Sequence, residues 1–534
     1  MALAIPGTTG NPDTNCYDMS QSIQLHTFHG GLKLDGHKAI STSHPIKTAE
    51  LPATLLLPVQ QHIGQPADVI VKPGEQVFKG QKLTRASDYI SAPIHAPTSG
   101  IISAVEERLV PHPSGLKALC IEIQTDGKDK WGEKVSYPDF RNTDIVTLRN
   151  HIRESGIVGL GGAAFPTSVK LNPGRSIDTL ILNGAECEPY ITCDDMLMRE
   201  HAADIVEGMA IMQFMLSAEQ CIIGIEDNKP EAIAAMRAAV KESELAAEVV
   251  AIPTIYPTGG EKQLIKILTN QEVPGDSLPA DIGIVCQNVG TAKAVYDAVI
   301  HGQPLIDRVI TVTGEGIAQP QNFLALIGTS MAELVAQAGG YKPGVKRLIM
   351  GGSMMGFALA TDEIPIIKAS NCILALTEVE QPPAQPCIRC GKCEQVCPAL
   401  LLPQQLFWYA QAKDFDKIQD YHLFDCIECG CCAEVCPSHI PLVQYYRFAK
   451  TEIWNQEREK VKSDIARERH IFHEERLERL KKEKAERLAK KKAALKNRPK
   501  VGDAEAKKSE IEAALARVKA KKEKQTTTQK NIER

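Results

Sequence analysis

Short apolar runs separated by turn residues dominate the first quarter of the chain. Between Leu51 and Gln124, runs rich in Val and Ile alternate with turn signals such as Lys72-Pro73-Gly74-Glu75 and Pro97-Thr98-Ser99-Gly100. Short strands punctuated in this way are typical of a small β-sandwich or barrel. The pattern therefore predicts a β domain at residues 51–130, preceded by an N-terminal segment at residues 1–50.

The turn phrases of this β domain resemble those of the barrel-sandwich domains that carry lipoyl or biotinyl groups. Those domains present a modifiable lysine at the tip of a hairpin. The corresponding stretch here reads His95-Ala96-Pro97-Thr98 and contains no lysine. We therefore expect a structural module without lipoylation.

From about residue 143 to residue 302 the apolar pattern changes to alternating strands and helices. Four short apolar runs are strand candidates, and two longer amphipathic stretches between them are helix candidates. The strand candidates are residues 179–182, 221–225, 249–252 and 282–285, and the helix candidates are 199–216 and 231–247. This alternation predicts a Rossmann-like α/β domain over residues 140–302 with a mainly parallel sheet.

A smaller α+β unit is predicted at residues 303–370. Strand candidates at 309–314 and 347–352 flank a helix candidate at 331–338, which suits a β-grasp-like module. The proline-rich stretch 381–386 is a stiff linker into a cysteine-rich domain at residues 380–450. Altogether the sequence predicts a multidomain α/β protein.

Residues 451–534 form a charged tail rich in Ala, Lys and Glu. Its leucines form too thin a stripe for a coiled coil, Pro499 is expected to interrupt the helix, and residues 525–534 are expected to be disordered. The tail has 26 basic and 16 acidic residues, a net +10, whereas the rest of the chain has a net charge of −15. This asymmetry favours an anionic lipid surface or an acidic partner for the tail. A solvated helix without a target is the alternative.

Nine of the sixteen cysteines lie between Cys387 and Cys436, in two copies of the pattern C-x2-C-x2-C-x3-C-P. This pattern is the bacterial signature of [4Fe–4S] clusters, and it indicates a reducing compartment. Because the fourth cysteine of each copy ligates the other cluster in two-cluster ferredoxins, two ligand sets are expected. The first is Cys387, Cys390, Cys393 and Cys436; the second is Cys426, Cys429, Cys432 and Cys397.

Cys431 falls outside this spacing and is expected to be a free neighbour. Zinc is the alternative metal, but zinc sites show pairs of C-x2-C rather than repeated triplets with a fourth Cys-Pro. The span between the two copies, residues 399–425, is too long for a compact ferredoxin and contains a helix candidate at 406–410. The domain therefore resembles the α-helical ferredoxin type. These clusters predict electron transfer.

A glycine-rich loop, Gly159-Leu160-Gly161-Gly162-Ala163-Ala164-Phe165, follows a predicted helix. Small residues let backbone N–H groups approach a phosphate or a flavin ring, although a structural turn is the alternative. Three polar segments favour a ligand, since each follows a predicted strand or opens a predicted helix. They are Asn183-Gly184-Ala185-Glu186-Cys187-Glu188, Tyr256-Pro257-Thr258-Gly259-Gly260-Glu261-Lys262 and Gln287-Asn288-Val289-Gly290-Thr291.

This ordered set of segments resembles the FMN- and NADH-binding subunit of respiratory complex I. The resemblance implies FMN as a cofactor and NAD(H) as a substrate. It implicates as cofactor-binding residues Gly161, Gly162, Phe165, Lys170, Asn183, Glu186, Glu188, Glu261, Asn288 and Thr291. The chain departs from that pattern at Ala164, Ala185 and Lys262, where the family has glycine, aspartate and glutamate.

The whole order of modules, together with Phe28-His29-Gly30-Gly31 near the start, resembles the RnfC family of the Rnf electron transport complex. That family implies a peripheral subunit on the cytoplasmic side of the bacterial inner membrane. Its complex couples electron transfer between NAD(H) and ferredoxin to ion translocation, an oxidoreductase of the translocase type. The partners implied are the other subunits, above all a neighbouring Fe–S subunit.

Neither a signal peptide nor an apolar run long enough to span a bilayer is predicted, and no nucleic acid is expected as a partner. Two other functions stay open. One is a non-catalytic Fe–S wire and scaffold whose nucleotide site has decayed, and the other is a cytosolic Fe–S partner of a soluble reductase.

Overall fold

The computed structural model describes residues 23–378, 382–496 and 504–530. These residues form two compact units, one within Met1–Thr451 and the other within Glu452–Arg534. Pro499 lies outside the described residues, so the helix break predicted at this residue stays a prediction. Residues 531–534 also lie outside them, and the disorder predicted for these four residues stays a prediction.

The N-terminal segment runs along the first unit in extended form, with one 3-10 turn at Lys38–Ile40 and a short strand, β1 (Lys47–Thr48). The backbone of Leu32 pairs with that of Tyr256, and the N–H of Gly31 donates to the carbonyl of Val396 at 3.0 Å. The segment therefore joins the α/β domain to the cysteine-rich domain.

The β domain is a small barrel-sandwich. One sheet has the strand order β2-β7-β6-β4 and the other pairs β3 with β5. The strands are β2 (Thr54–Pro58), β3 (Asp68–Val69), β4 (Gln76–Val77), β5 (Thr84–Arg85), β6 (Gly100–Leu109) and β7 (Lys117–Thr125). Alternate residues such as Leu55, Leu57, Ile121 and Ile123 are fully buried, as expected for sheets with one face on the core. The stretch from His95 to Thr98 lies in this interior, not at an exposed tip.

The α/β domain has a four-stranded sheet of order β10-β9-β8-β11, parallel throughout. The strands are β8 (Thr179–Gly184), β9 (Gln220–Glu226), β10 (Glu248–Ile252) and β11 (Ile284–Asn288). The helices are α1 (Ile145–Glu154), α2 (Thr167–Lys170), α3 (Cys193–Glu200), α4 (Ala202–Leu216), α5 (Pro230–Glu242), α6 (Glu261–Thr269) and α7 (Val289–His301). Helices cover the sheet, so β8 and β9 read as continuous apolar runs.

Three predicted elements in this domain have wrong bounds. The helix predicted at 231–247 ends at Glu242, because Ser243 is extended. The last strand was predicted from residue 282 but begins at Ile284, because Pro279–Ile282 forms a 3-10 turn and Gly283 has a φ of 74°. The helix predicted at 199–216 is two helices, since His201 leaves the helical conformation between Glu200 and Ala202.

A six-stranded mixed sheet follows, in the order β1-β13-β12-β16-β14-β15. Its strands are β12 (Asp307–Thr313), β13 (Gln321–Leu326), β14 (Arg347–Met350), β15 (Phe357–Ala358) and β16 (Cys372–Leu376), with helix α8 at Met331–Gln337. The sheet takes one edge strand from the N-terminal segment and a central strand from beyond residue 370.

The cysteine-rich domain is built of short helices, as its long inter-motif span predicts. Its helices are α9 (Lys392–Gln395), α10 (Pro403–Ala412), α11 (Phe415–Asp420) and α12 (Cys431–Glu434), with a 3-10 turn at Leu423–Asp425. The two motif copies are built alike, since Gly391 and Gly430 precede α9 and α12 with φ of 79° and 83°.

Helix α13 (Leu442–Lys496) begins in the first unit and continues into the tail, and α14 (Ala504–Lys530) follows. The prediction of disorder from residue 525 is wrong as far as Lys530, because helix propagation from an Ala/Lys-rich stretch costs little once the helix has formed. The tail leucines Leu477, Leu480, Leu488 and Leu495 are exposed. Within the described residues, no helix combines the length and the apolar character needed to cross a membrane.

Candidate cofactor sites

The glycine-rich loop folds back on itself between α1 and α2. The N–H of Gly159 donates to the carbonyl of Phe165 at 2.8 Å, and that of Ala164 donates to the carbonyl of Gly159 at 3.2 Å. Gly162 has a φ of 105°, and a Cβ there would meet no heavy atom within 4 Å. The loop therefore leaves an open space beside exposed backbone, which suits a flat ring or a phosphate.

Asn288 connects this loop to the end of β11. Its side-chain oxygen caps α7 by accepting from the N–H groups of Gly290 (2.8 Å) and Thr291 (3.3 Å). The Thr291 hydroxyl in turn accepts from the N–H of Leu160 at 2.9 Å, and a Cβ on Gly161 would contact the Asn288 side chain at 3.4 Å. The structure thus brings Gly161, Asn288 and Thr291 together.

Lys170 and Glu261 form a half-exposed ion pair of 2.6 Å at the carboxyl end of the sheet. The Lys170 ammonium group also donates to the carbonyl of Cys286 on β11 at 3.1 Å. Glu261 opens α6, whose N-cap is Gly260. The Glu261 carboxylate balances the charge of Lys170 and lies in the first turn of α6, so this sheet edge holds a closed ion pair at a helix N-terminus.

Asn183, at the end of β8, fixes the loop that precedes α6. Its amide donates to the carbonyl of Gly259 at 2.9 Å, and its oxygen accepts from the N–H of Ala185 at 3.0 Å. Asn183 therefore positions the two loops that border the sheet edge.

Glu186 is buried and accepts hydrogen bonds from the N–H groups of Asp194 (2.8 Å) and Asp195 (3.3 Å), in the first turn of α3. The Asp194 carboxylate accepts from the Asn288 amide at 2.6 Å, and burial raises the pKa of Asp194 to about 7. Glu186 thus supports Asn288 through Asp194. Sequence reasoning missed Asp194, which resembles an ordinary acidic residue of a first helical turn.

Glu188 is used differently from its predicted neighbours. Its carboxylate accepts from the N–H groups of Met354 (2.7 Å) and Met355 (2.9 Å), between β14 and β15, and burial is the main cause that raises its pKa. It therefore joins the α/β domain to the six-stranded sheet. Phe165 is half-buried and contributes its backbone carbonyl to the loop.

The structure brings each predicted set of four cysteines to one cavity of the cysteine-rich domain. Cys387, Cys390, Cys393 and Cys436 line a cavity of about 210 Å³. Cys397, Cys426, Cys429 and Cys432 line a second cavity, which Cys431 also borders. At least four thiols converge in each lining, which suits iron–sulfur clusters.

The second cavity lies against the α/β domain. The hydroxyl of Tyr256, before α6, donates to the carbonyl of Cys429 at 2.6 Å. Tyr256, Cys429 and Cys431 are buried in one apolar cluster, with Cys187 and Met354 packed on it. The second cysteine loop is therefore anchored next to the loops that border the sheet edge.

Four family models match successive parts of the chain. A barrel-sandwich hybrid domain of RnfC matches residues 26–128, and a Nuo51 FMN-binding domain matches residues 152–297. An SLBB domain matches residues 309–358, and a 4Fe-4S dicluster domain matches residues 383–440. These matches confirm FMN and [4Fe–4S] clusters as cofactors.

Curated relatives from the RnfC family, named as a subunit of the "Ion-translocating oxidoreductase complex", match most of the chain. The protein of Pectobacterium atrosepticum is 47% identical over 93% of this chain and 71% of its own length. The chain belongs to this family. The Pseudomonas aeruginosa relative is 51% identical over 85% of the chain, but the match covers 59% of that protein. The Vibrio cholerae relative is 48% identical over 94% of this chain and 65% of its own length.

Among solved structures, an NAD+-reducing [NiFe]-hydrogenase in the air-oxidized state matches 57% of this chain and 63% of its own chain. The TM-score is 0.41 and the sequence identity is 18%.

Proposed function

We propose that this chain is the electron-exchange subunit of a membrane-bound complex of the Rnf type, relaying electrons between NAD(H) and ferredoxin through FMN and two [4Fe–4S] clusters. The observation that carries the proposal is the anchoring of the second cysteine loop on the α/β domain through Tyr256 and Cys429. This contact brings an iron–sulfur ligand loop next to a domain of the FMN-binding type in one compact unit.

FMN, when bound, supplies the conversion between two-electron hydride chemistry and one-electron transfer. The open side of Gly162 and the exposed backbone of Gly161 would admit its ring or phosphate. The ion pair of Lys170 and Glu261, at the start of α6, would border it.

The loops around the site are held in place by three polar side chains, those of Asn183, Asn288 and Thr291. Each forms hydrogen bonds that fix a loop at the carboxyl edge of the sheet, where open α/β sheets bind their ligands. Because these side chains are already paired, the site is ordered before a ligand arrives, which lowers the entropy cost of binding.

Each cluster, in this proposal, has three ligands from one motif copy and the fourth from the other. The exposed Cys390 leaves the first cluster open to a neighbouring Fe–S subunit of the complex. We expect the complex to couple this electron transfer between NAD(H) and ferredoxin to ion translocation.

The names of the relatives, a subunit of an ion-translocating oxidoreductase complex, support a place in a multisubunit complex. From the resemblance to the RnfC family we propose a peripheral position on the cytoplasmic side of the bacterial inner membrane, next to the other subunits. Cell fractionation tests this location. Recovery with membranes and release by salt or alkali supports it, whereas recovery in the soluble fraction supports a cytosolic partner of a soluble reductase.

An anaerobic titration of the purified chain with NADH tests the redox proposal. Flavin bleaching and cluster reduction are followed by visible absorbance and EPR, in the native chain and in Lys170→Met. Lys266→Met is the matched control, since Lys266 pairs with Glu272 on the exposed side of α6. NADH-dependent cluster reduction that is lost in Lys170→Met alone is expected. Clusters that stay oxidised with NADH while dithionite reduces them would refute the proposal.

A non-catalytic Fe–S wire is the second candidate function. It is favoured by Glu188, whose carboxylate is occupied by two backbone N–H groups, and by Lys262, which donates to the carbonyls of Pro274 (3.0 Å) and Gly275 (3.2 Å). In that case Lys170→Met in the assembled complex leaves electron transfer unchanged.

A further inference from the structure

The two copies of the cysteine motif have the same local backbone conformation but differ in solvent exposure. Arg389 and Glu428 occupy the same motif position with φ of 57° and 58°. Ile388 is 68% exposed and Cys390 is exposed, whereas Cys429, the counterpart of Cys390 in the second copy, is 7% exposed. We call the exposed first copy the open loop and the buried second copy the enclosed loop. Because both belong to one chain, their surroundings can be compared directly.

The enclosed loop is covered by two other modules of the first unit. Tyr256 of the α/β domain donates its hydroxyl hydrogen to the carbonyl of Cys429 at 2.6 Å. A Cβ on Gly430 would lie 3.1 Å from the carbonyl oxygen of Met354, so the loop and the six-stranded sheet are in close contact. Little water reaches this loop, and the surrounding charges are weakly screened.

A buried cation lies within this enclosure. The side chain of Lys450, on α13, is 9% exposed, and its ammonium group donates to the carbonyl of Cys426 at 2.6 Å. Lys450 and Arg447 both pair with the one carboxylate of Glu428, at 2.9 Å and 2.8 Å. The half-buried Glu188 also acts electrostatically on Cys429, but two backbone N–H groups donate to its carboxylate.

The open loop has a different arrangement. Its cations, Arg389 and Lys392, are exposed, and Arg389 stacks on the ring of Trp408, 4.8 Å from the ring centre. Within the described residues, no side chain donates a hydrogen bond to the carbonyl of Cys390. Water therefore screens the charges of Arg389 and Lys392, and the described part of the chain gives the first loop no counterpart of Lys450 or Tyr256.

We infer that Lys450 and Tyr256 are positioning residues that raise the reduction potential of the second cluster. Reduction adds one electron to the cluster, [4Fe–4S]2+ to [4Fe–4S]1+, and enclosure in a medium of low dielectric disfavours the added negative charge. A buried ammonium group and a fixed hydrogen-bond donor on the ligand loop offset that cost, since the potential of a cluster depends on local charge and hydrogen bonding. The enclosed cluster thereby stays reducible from the α/β domain.

This inference rests on the cluster ligand sets of the proposed function and not on NAD(H) as the electron donor. The test is a redox titration of the purified full chain with dithionite and mediators, followed by EPR. A failure of NADH to reduce the chain would leave this titration unaffected, so the two proposals fail separately.

The variants are Lys450→Met, Lys450→Arg and Tyr256→Phe, with Lys417→Met as the matched control. Lys417 lies in the same domain, exposed on α11, and loses the same charge. We expect Lys450→Met to lower one midpoint potential, Tyr256→Phe to lower the same one by less, and Lys450→Arg and Lys417→Met to leave both in place. Cys390→Ser alters a ligand of the first cluster. The midpoint potential that changes in this variant belongs to the first cluster, and the other one belongs to the second.

Unchanged midpoints in both Lys450→Met and Tyr256→Phe, with iron content intact, would overturn the inference. A shift confined to the open cluster would overturn it as well. If Lys450→Met loses iron, Tyr256→Phe decides alone, because it removes one hydroxyl group and keeps the aromatic ring in place.

Discussion

The ammonium nitrogen of Lys368 lies 2.6 Å from the carbonyl oxygen of Gly156 and donates a hydrogen bond to it in the protein interior. It also donates to the carbonyl of Pro93 at 2.8 Å, and the residue is 1% exposed. Pro93 belongs to the β domain, Gly156 to the α/β domain, and Lys368 precedes β16. One buried side chain therefore joins three modules.

Replacing Lys368 with methionine should destabilise the chain by about 2–4 kcal/mol. The change keeps an unbranched side chain but leaves two buried carbonyl groups without their donor, and each such group costs about 1–3 kcal/mol. Chemical denaturation followed by circular dichroism measures the loss. Lys346→Met, at an exposed position, is the control and should be neutral within about 0.5 kcal/mol. Equal stability of the two variants would contradict the structural role.

The same lysine predicts a dependence of stability on pH. Burial lowers the pKa of Lys368 to about 7 from its usual value of 10.5. Between these two values the unfolded chain holds a proton that the folded chain has released, so the free energy of unfolding rises with pH across this interval. The difference in stability between the native chain and Lys368→Met should therefore grow between pH 7 and pH 10. A difference that stays constant would show that Lys368 keeps its proton when folded.

Cys431 provides a test of the cluster ligand sets. Cys431→Ala should retain both clusters, with about eight irons per chain, because the cysteine spacing assigns no iron to this thiol. Cys432→Ala, one residue away, should lose the second cluster and about half of the iron. Iron and sulfide analysis of anaerobically purified protein measures both. If Cys431→Ala loses iron and Cys432→Ala does not, Cys431 rather than Cys432 is the ligand of the second cluster.

Gly162→Val should abolish flavin retention. The branched side chain would fill the open side of the glycine loop, and at a φ of 105° it would also strain the backbone. Gly174→Val is the matched control, since Gly174 has a φ of 69°, nothing within 4 Å of a Cβ, and lies outside the sheet edge. Fluorescence of flavin released from the purified variants is the measurement. Full flavin content in Gly162→Val would exclude this loop as the flavin site.

The packing of α4 on α7 depends on one glycine. A Cβ on Gly208 would lie 1.9 Å from the carbonyl oxygen of Ala292, so Gly208→Ala must push two helix backbones apart. At Gly224 a Cβ would meet the flexible end of Leu264 at 3.0 Å, which can shift. Gly208→Ala should therefore cost about 1–3 kcal/mol and clearly more than Gly224→Ala, as measured by denaturant unfolding. The reverse order would contradict this packing.

Local patterns were sufficient to locate the four strands of the α/β domain, two of its helical stretches and the two cysteine motifs. The apolar run at β8 is long enough and buried enough to be recognised without tertiary information. The motif spacing identifies the eight thiols, and the two-cluster ferredoxin pattern exchanges the fourth cysteine between the copies. The start of β11 was misplaced because Ile282 is as apolar as the strand that follows, while the turn at Gly283 depends on backbone conformation.

Contacts distant in sequence could not be predicted in this way. Tyr256 and Cys429 are 173 residues apart, and the segment around Tyr256 suggested an anion site rather than contact with a cluster loop. Glu188 was assigned to the nucleotide by resemblance, yet its carboxylate is used by the backbone of Met354 and Met355. Lys450 stands at the beginning of a long charged helix, where sequence alone gives no reason to single it out.

The six-stranded sheet takes its edge strand, β1, from the far N-terminal side of the chain. Lys47 and Thr48 pair with Phe323 and Leu324 of β13, and the N–H of Ala49 continues the pairing. A fragment that starts after residue 50 would leave this edge of β13 open, and open edges template association between chains. During synthesis β1 leaves the ribosome more than 250 residues before β13. The strand that covers the edge of β13 is therefore available as soon as β13 emerges.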